Sequence, residues 1–210
     1  MVKPRGPHAT AWKLWCDTKP EGDKVISGFY GDRLHDICNM KDIAEYHQHD
    51  SYMKDPLTIP KNTNLYVFQD SMRPMWEHFP DGGCWSYKVK RGEAKLASIW
   101  DKLVHACIHD GIGSRNVSGI VLSSRAKEIS INVWLVSGQT SELRFEIMER
   151  LRTILDLHEG DNIQYKDFQT AIKDDSSKLN AVTYRVKDPT AHVRKYVLPD
   201  PVTGSFTFNY

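Results

Sequence analysis

Several features that define common classes of protein are absent from this sequence of 210 residues. No stretch approaches the ~20 consecutive apolar residues that a membrane-spanning helix needs. Residues 1–10 contain two prolines and no apolar run, so they do not resemble a secretory signal sequence. The four cysteines include no Cys-x-x-Cys pair, which argues against a zinc ribbon or a disulfide scaffold. Together these absences predict a soluble protein of a reducing compartment, the cytoplasm.

The sequence also has almost no net charge. Its 28 Lys and Arg residues are balanced by 27 Asp and Glu residues, which leaves a formal charge of +1. A broad basic surface for a nucleic-acid backbone is therefore excluded, and any such binding must depend on a local site. Apolar residues make up 40% of the chain, which is enough for a buried core. Tryptophan is comparatively abundant, with six residues, and its ordinary place is in that core.

Hydrophobic periodicity predicts an α+β fold in one domain, residues 11–187. Apolar residues recur at helical spacing in three segments, residues 40–47, 95–109 and 140–155. Stretches rich in β-branched and aromatic residues predict seven strands, at residues 11–16, 64–69, 84–90, 117–123, 128–136, 162–166 and 180–186. We expect a mainly antiparallel sheet with about three helices packed on one face and the other face partly open.

Both ends of the chain are predicted to lie outside this domain. Residues 1–10 are expected to form a flexible N-terminal arm. Residues 188–210 contain three prolines and are expected to form a C-terminal tail, either packed on the finished domain or disordered.

The segment after the second predicted strand carries the densest group of candidate site residues. Trp76 and Glu77 are neighbours in a predicted loop. An aromatic ring can stack on a base, and its π-face favours a positively charged ring. The carboxylate of Glu77 has two acceptor oxygens in one plane, which suit the N–H edge of guanine. Trp134 is a further candidate, because strand 128–136 alternates and places this Trp among Ser and Asn, away from the core face.

Local cations are candidate phosphate ligands. Arg125 and Lys127 lie two residues apart near the start of a strand, and Lys173 and Lys178 bracket a polar loop. A solvated turn is the ordinary alternative for Arg125 and Lys127, and the loop between Lys173 and Lys178 is also compatible with simple exposure.

Taken together, six short motifs resemble the mRNA cap-binding translation initiation factor 4E family. They occur in the order found in that family: WKLW (12–15), FQDSMRPMWE (68–77), GGCW (82–85), IW (99–100), SSRAK (123–127) and INVW (131–134). The resemblance covers roughly residues 7–187 and identifies the chain as a divergent member. It implies a curved sheet with helices on its convex face and a cap site on the concave side. It also implies a binding protein without catalytic residues or cofactors, monomeric apart from its partners.

The resemblance further implies a role for each candidate residue. Trp76 would be one of two rings that sandwich 7-methylguanine, and Glu77 would pair with the guanine edge. Trp134 would contact the N7-methyl group. The phosphates would be held by Arg125, with Lys127, Lys173 and Lys178 as further candidates.

The chain departs from the family at the first stacking ring, where the family has Trp. A gapless alignment from Trp76 brings Tyr30 to that position, with Phe29 as the alternative. Tyr stacks, but its attraction for a cationic base is weaker than that of Trp. Two further departures affect the phosphate site. Ser130 stands where the family usually has a second basic residue, and Cys84 replaces the Arg of the GGRW motif, so we expect weaker binding of the triphosphate.

The resemblance also implies a surface for a scaffold protein of the 4G type on the helical face. The alignment assigns it Ile43, His47, Asp101, Lys102 and His105. His47 stands where the family has a central Trp, and Lys102 replaces an acidic residue. Because this surface is more polar than usual, we expect a divergent scaffold partner.

Other functions remain open at this point. A cap-binding repressor that lacks ordinary scaffold binding would have the same motifs. The sequence also leaves open whether the ligand is a simple or a further methylated cap. A general single-stranded RNA-binding module is disfavoured by the neutral charge. A metal enzyme would need more than the i, i+4 pair His105 and His109, and no HExxH motif is present, so no metal site is expected.

Overall fold

The computed structural model describes residues 11–19, 30–51, 55–113, 115–136 and 140–187, and for residue 30 the backbone alone. The predicted N-terminal arm, residues 1–10, and the predicted C-terminal tail, residues 188–210, lie outside this part of the chain. Phe29 also lies outside it. The proposed domain boundaries at residues 11 and 187 therefore stay predictions.

Within the described residues, eight strands form a single open, curved sheet in which every neighbouring pair is antiparallel. In chain order they are β1 (Trp12–Thr18), β2 (His35–Met40), β3 (Thr63–Gln69), β4 (Gly83–Lys90), β5 (Val117–Ser124), β6 (Glu128–Leu135), β7 (Asn162–Asp167) and β8 (Val182–Arg185). Across the sheet the order is β2-β1-β3-β5-β6-β4-β7-β8. The predicted α+β architecture is confirmed, and all seven predicted strands are found to within two residues at each end.

Three of the helices pack on one face of the sheet and form the main core with it. The described helices are α1 (Ile43–Asp50), α2 (Lys95–Ile108), α3 (Ser141–Ile154) and α4 (Phe168–Lys173). The first three form this layer, and α4 lies on the open face of the sheet. The predicted core face of β6 is confirmed by four side chains that are almost completely buried: Ile129, Ile131, Val133 and Leu135. None of the described helices is long and apolar enough to cross a bilayer.

The first helix differs from its prediction. Residues 40–47 were expected to be helical, but Met40 ends strand β2 and is fully buried there. The helix begins at Ile43 because Asp42 adopts an extended backbone and its side chain accepts the backbone N–H of Glu45, at 2.9 Å. An N-cap of this kind satisfies one of the free N–H groups at the helix start. Strand β2 lies at the edge of the sheet with mostly exposed side chains, so its sequence shows little alternation.

Helix α4 was not predicted from the sequence. It is only six residues long and begins directly at the end of β7, where the side chain of Asp167 accepts the backbone N–H of Thr170, at 2.8 Å. Its buried residues Phe168 and Ala171 belong to a second apolar cluster on the open face of the sheet. This helix therefore covers part of the face that the other three helices leave free.

The second apolar cluster supports the residues of the open face. The ring of Trp134 lies 4.6 Å from that of Phe168 and 5.2 Å from that of Phe68, measured between centroids. Phe68 in turn lies so close to Gly119 that a Cβ atom at Gly119 would be 2.4 Å from the ring. Glycine at this position of β5 is therefore what allows the cluster to pack closely.

Candidate functional site

A groove of about 440 Å³ opens on the face of the sheet that carries α4. It lies between the turn after β3, the central strands β5 and β6, and α4 with its following loop. Its lining includes Lys19, Asn64, Tyr66, Trp76, Glu77, Cys84, Ser123, Arg125, Asn132, Trp134, Lys166, Phe168, Ile172, Asp175 and Ser177. Four of the predicted cap-site residues are thus brought to one groove: Trp76, Glu77, Arg125 and Trp134.

Trp76 opens a single 3₁₀ turn at the edge of the groove, Trp76–His78. The turn is fastened by the flanking buried residues Met75 and Phe79. The backbone N–H of His78 donates to the Met75 carbonyl at 3.1 Å, and that of Phe79 donates to the Trp76 carbonyl at 2.9 Å. The Trp76 ring is half-buried, and none of the described aromatic rings stacks on it. Its face is therefore available to a planar ligand.

Glu77 follows Trp76 in the same turn and is exposed. Among the described residues, no hydrogen-bond donor or cation engages its carboxylate. Both oxygens are therefore available as acceptors beside the Trp76 ring. Trp76 and Glu77 lie side by side because they are consecutive in a turn that is fixed at both ends.

Trp134 contributes less surface to the groove than its position among Ser and Asn in the alternating strand predicts. Its side chain is 7% exposed and is enclosed by Phe68, Phe79 and Phe168. Only a small part of the ring can be reached from the groove. Its contact with a methyl group stays a prediction.

The guanidinium of Arg125 is oriented by a chain of buried hydrogen bonds. Arg125 donates to the Asn64 side-chain oxygen and to the Ser124 carbonyl, both at 2.9 Å. The Asn64 amide nitrogen donates to a carboxylate oxygen of Asp17 at 2.6 Å, and the Tyr66 hydroxyl donates to the same oxygen at 2.7 Å. Asp17 is fully buried, and its other oxygen has no hydrogen-bond partner within the described part of the chain. Because an amide has one donor end and one acceptor end, Asp17 fixes Asn64 with its oxygen towards Arg125.

Replacing Asp17 with alanine is expected to lower the free energy of unfolding by about 1–3 kcal/mol, because it removes the acceptor that the buried donors of Asn64 and Tyr66 share. Equilibrium urea denaturation of the two proteins measures this difference. Tyr66→Phe is the matched control, since it removes only one donor and leaves the carboxylate in place. An Asp17→Ala protein as stable as the parent would contradict the proposed role of this hydrogen-bond network.

The three predicted phosphate-binding lysines do not line the groove. Lys127 is exposed in the turn between β5 and β6, and Lys173 is the exposed last residue of α4. Lys178 donates to the carboxylate of Glu128 at 2.9 Å, and this hydrogen bond holds the pKa of Glu128 below its ordinary value. A role of these lysines in phosphate binding stays a prediction.

Two other lysines, which the sequence did not indicate, do line the groove. Lys19 is exposed directly after β1. Lys166 is buried on β7 and donates to the Asp174 carboxylate at 2.7 Å, and also to the carbonyls of Ser176 and Leu179. The hydrogen bond from Lys166 lowers the pKa of Asp174. Lys166 therefore ties the loop after α4 to the sheet, while the ammonium of Lys19 has no ion-pair partner among the described residues.

Cys84 and Ser130, which stand where basic residues are expected from the family resemblance, are both uncharged in the structure. Burial raises the pKa of the Cys84 thiol to about 12, so it is a neutral group in the lining of the groove at physiological pH. Ser130 is buried, as part of β6. Among the groove residues, positive charge thus comes from Arg125, Lys19 and the paired Lys166.

On the helical face, the structure brings together three of the five predicted scaffold-binding residues. One donor atom each of His47, Asp101 and His105 lies within 4.8 Å of the others. Ile43 packs partly against the core, and Lys102 is exposed on α2. Sequence spacing alone did not indicate that His47 joins residues of another helix. The scaffold-binding role of the five residues stays a prediction.

The fold and the groove define the class of protein: an open antiparallel sheet with helices on one face and a groove on the other. The sequence pattern of the family described as eukaryotic initiation factor 4E matches residues 7–183, and the chain belongs to this family. Because the family consists of cap-binding factors and not of enzymes, the expectation that the chain is not an enzyme is confirmed.

Relatives with curated names share about a quarter of their residues with this chain. Eukaryotic translation initiation factor 4E from Candida glabrata is 27% identical over 169 residues, 79% of each chain. Eukaryotic translation initiation factor NCBP from Triticum aestivum is 26% identical over 170 residues, 80% of this chain and 72% of the relative.

Solved structures confirm the fold at lower sequence identity. A schistosome eIF4E crystallised with m7GpppA and 4E-BP superposes with a TM-score of 0.72 at 19% identity, covering 84% of this chain and 96% of that one. Ascaris suum eIF4E-3 in complex with the m7G cap has a TM-score of 0.68 at 20% identity, covering 75% and 88%. Caenorhabditis elegans eIF4E-3 with the protein Mextli and a cap analogue has a TM-score of 0.69 at 18% identity, covering 83% and 96%.

Proposed function

We propose that this chain binds the 7-methylguanosine cap of mRNA in its groove and acts in translation initiation. The observation that carries the proposal is the turn at the edge of the groove, where Trp76 presents a ring face and Glu77 a carboxylate that no other described residue engages. Family membership supports the proposal, as do the related proteins crystallised with cap ligands. A stacking ring next to two coplanar acceptors suits a flat base with adjacent N–H donors.

In the proposed binding mode, the methylated base lies between two aromatic rings. Methylation at N7 makes guanine cationic, and a cation is attracted to the π-face of Trp76. The second ring would be that of Tyr30, whose backbone opens the 3₁₀ turn Tyr30–Arg33. Glu77 would accept the ring N–H and the amino group of guanine, and the accessible part of Trp134 would contact the methyl group.

The phosphates would be held mainly by Arg125, which Asn64 already orients. A hydrogen bond to a charged group typically contributes ~1.5–3 kcal/mol. Lys19 is the second cation that we propose for this role, because it is exposed and lines the same groove. It would compensate in part for the neutral groups at Cys84 and Ser130.

The helical face would recruit a scaffold protein. Structural relatives have been crystallised with 4E-BP and with Mextli, which supports partner binding by a member of this family. In this chain the proposed surface consists of Ile43, His47, Asp101, Lys102 and His105. Its polar side chains favour a partner with polar or charged groups at the matching positions, hence a divergent one.

A competition experiment tests the proposed function. We expect 7-methyl-GTP to bind about 10- to 100-fold more tightly than GTP, because only the methylated base is a cation between aromatic rings. Quenching of tryptophan fluorescence on titration measures both affinities, and an uncapped RNA oligonucleotide is titrated as the third ligand. Equal affinities for 7-methyl-GTP and GTP would overturn cap recognition, and tighter binding of the uncapped RNA would favour a general RNA-binding module.

A further inference from the structure

A cluster of metal-ligating side chains lies where helices α1 and α2 meet, away from the groove. His47 comes from α1, and Asp101 and His105 come from α2. The i, i+4 spacing places Asp101 and His105 next to each other on the helix surface, with 3.6 Å between His105 Nε2 and Asp101 Oδ1. The imidazole of His47 completes a group whose donor atoms lie within 4.8 Å of one another.

The Nε2 atom of His105 is the most informative member of the cluster. It is shielded from solvent and has no hydrogen-bond partner within the described residues. A buried polar atom without a partner destabilises the fold unless a ligand engages it. The imidazole rings of His47 and His105 lie 5.0 Å apart between centroids and at 65° to each other, so they are not stacked on one another.

The surroundings of the cluster restrain its two imidazoles. Tyr46 is 1% exposed and packs against both imidazole rings, at 5.3 Å from His47 and 5.9 Å from His105. This packing restrains the orientation of both imidazoles, as groups around a metal site do for its ligands.

We propose that His47, Asp101 and His105 form a site for one divalent transition-metal ion, Zn²⁺, with water as the fourth ligand. Two imidazoles and a carboxylate are a ligand set that suits Zn²⁺. Ligands in a zinc tetrahedron with bonds of ~2.0–2.1 Å stand roughly 3.3 Å apart, so the donor atoms must close by up to about 1.5 Å. Rotation of the exposed His47 side chain permits this movement. The bound ion joins α1 to α2.

Zinc titration of the untagged full chain tests the site. With a chromophoric chelator as competitor, we expect one Zn²⁺ per chain, bound with micromolar affinity or better. His47→Ala and His105→Ala should each weaken binding at least tenfold, and Asp101→Asn should also weaken it. His49→Ala is the matched control, because it removes a histidine from the same helix outside the cluster and should leave zinc affinity unchanged.

Substitution with Co²⁺ adds a spectroscopic test of the ligand geometry. Tetrahedral coordination predicts strong visible absorption in the parent protein and its loss in His47→Ala. His47 is exposed, so this variant should melt at the same temperature as the parent in the absence of metal. Absence of binding at 100-fold excess zinc, or binding that His47→Ala and His105→Ala leave intact, would overturn the proposal. None of these measurements involves a nucleotide, so the result is independent of the proposed cap binding.

Discussion

Replacing Trp76 with alanine is expected to weaken the binding of 7-methyl-GTP by about 5- to 150-fold, because an aromatic ring stacked on a base contributes ~1–3 kcal/mol. The Trp76 ring is half-buried at the edge of the groove and is free of described ring partners, so its loss removes a ligand contact more than a core contact. Fluorescence titration and retention on 7-methyl-GTP resin both measure the effect.

Trp76→Phe is the matched variant for this experiment. It keeps a stacking face in the same turn and should retain a substantial part of the affinity, in line with the weaker cation–π attraction of Phe. If Trp76→Ala binds 7-methyl-GTP like the parent, the groove is not the cap site. Tyr30→Ala and Phe29→Ala, compared in the same titration, identify the opposing ring, and we expect the larger loss at Tyr30.

The largest expected effect on stability is that of Phe168→Ala, which should lower the free energy of unfolding by about 3–5 kcal/mol. Phe168 is 1% exposed and holds the second apolar cluster together, with its ring 4.6 Å from that of Trp134 and 6.4 Å from that of Phe79. Its removal leaves a cavity beneath the floor of the groove, which neighbouring strands cannot close without moving. Urea denaturation followed by far-UV circular dichroism measures the loss.

Ile172→Ala provides the control for this substitution. It removes an apolar side chain from the same short helix, but one that is 44% exposed, so we expect a change within about 0.5–1 kcal/mol. A Phe168→Ala protein that loses less than 1 kcal/mol would show that α4 does not anchor the cluster. The two variants together distinguish the stability that comes from the buried side chain of α4 from that of its exposed side chain.

The elements that sequence predicted well are those with long and regular patterns. Helices α2 and α3 have two or more turns of apolar periodicity, and Thr140 caps α3 by accepting the backbone N–H of Leu143. Strand β6 alternates over its whole length. The elements that were missed or displaced lack such patterns: β2 is an exposed edge strand, and the six residues of α4 are too few to show a helical period.

The candidate site was predictable where its residues are close in sequence. Trp76 and Glu77 are adjacent, and their motif also carries the family resemblance, which the family match confirms. The supporting groups were not predictable. Asp17 lies 47 residues before Asn64, and the two meet because β1 and β3 pair in the sheet. Lys19 reaches the groove for the same reason, since it extends directly from β1.

The sequence by itself thus determined the family, the antiparallel sheet with its helical layer, and the aromatic and acidic pair at the groove, because each depends on local patterns or contiguous motifs. Only the tertiary structure decided which distant polar groups come within bonding distance of one another. The sheet order separates chain neighbours and joins remote strands, which assembles the Asp17, Asn64 and Arg125 chain of hydrogen bonds. The packing of α1 against α2 likewise brings His47 to Asp101 and His105, a meeting that no spacing along the chain encodes.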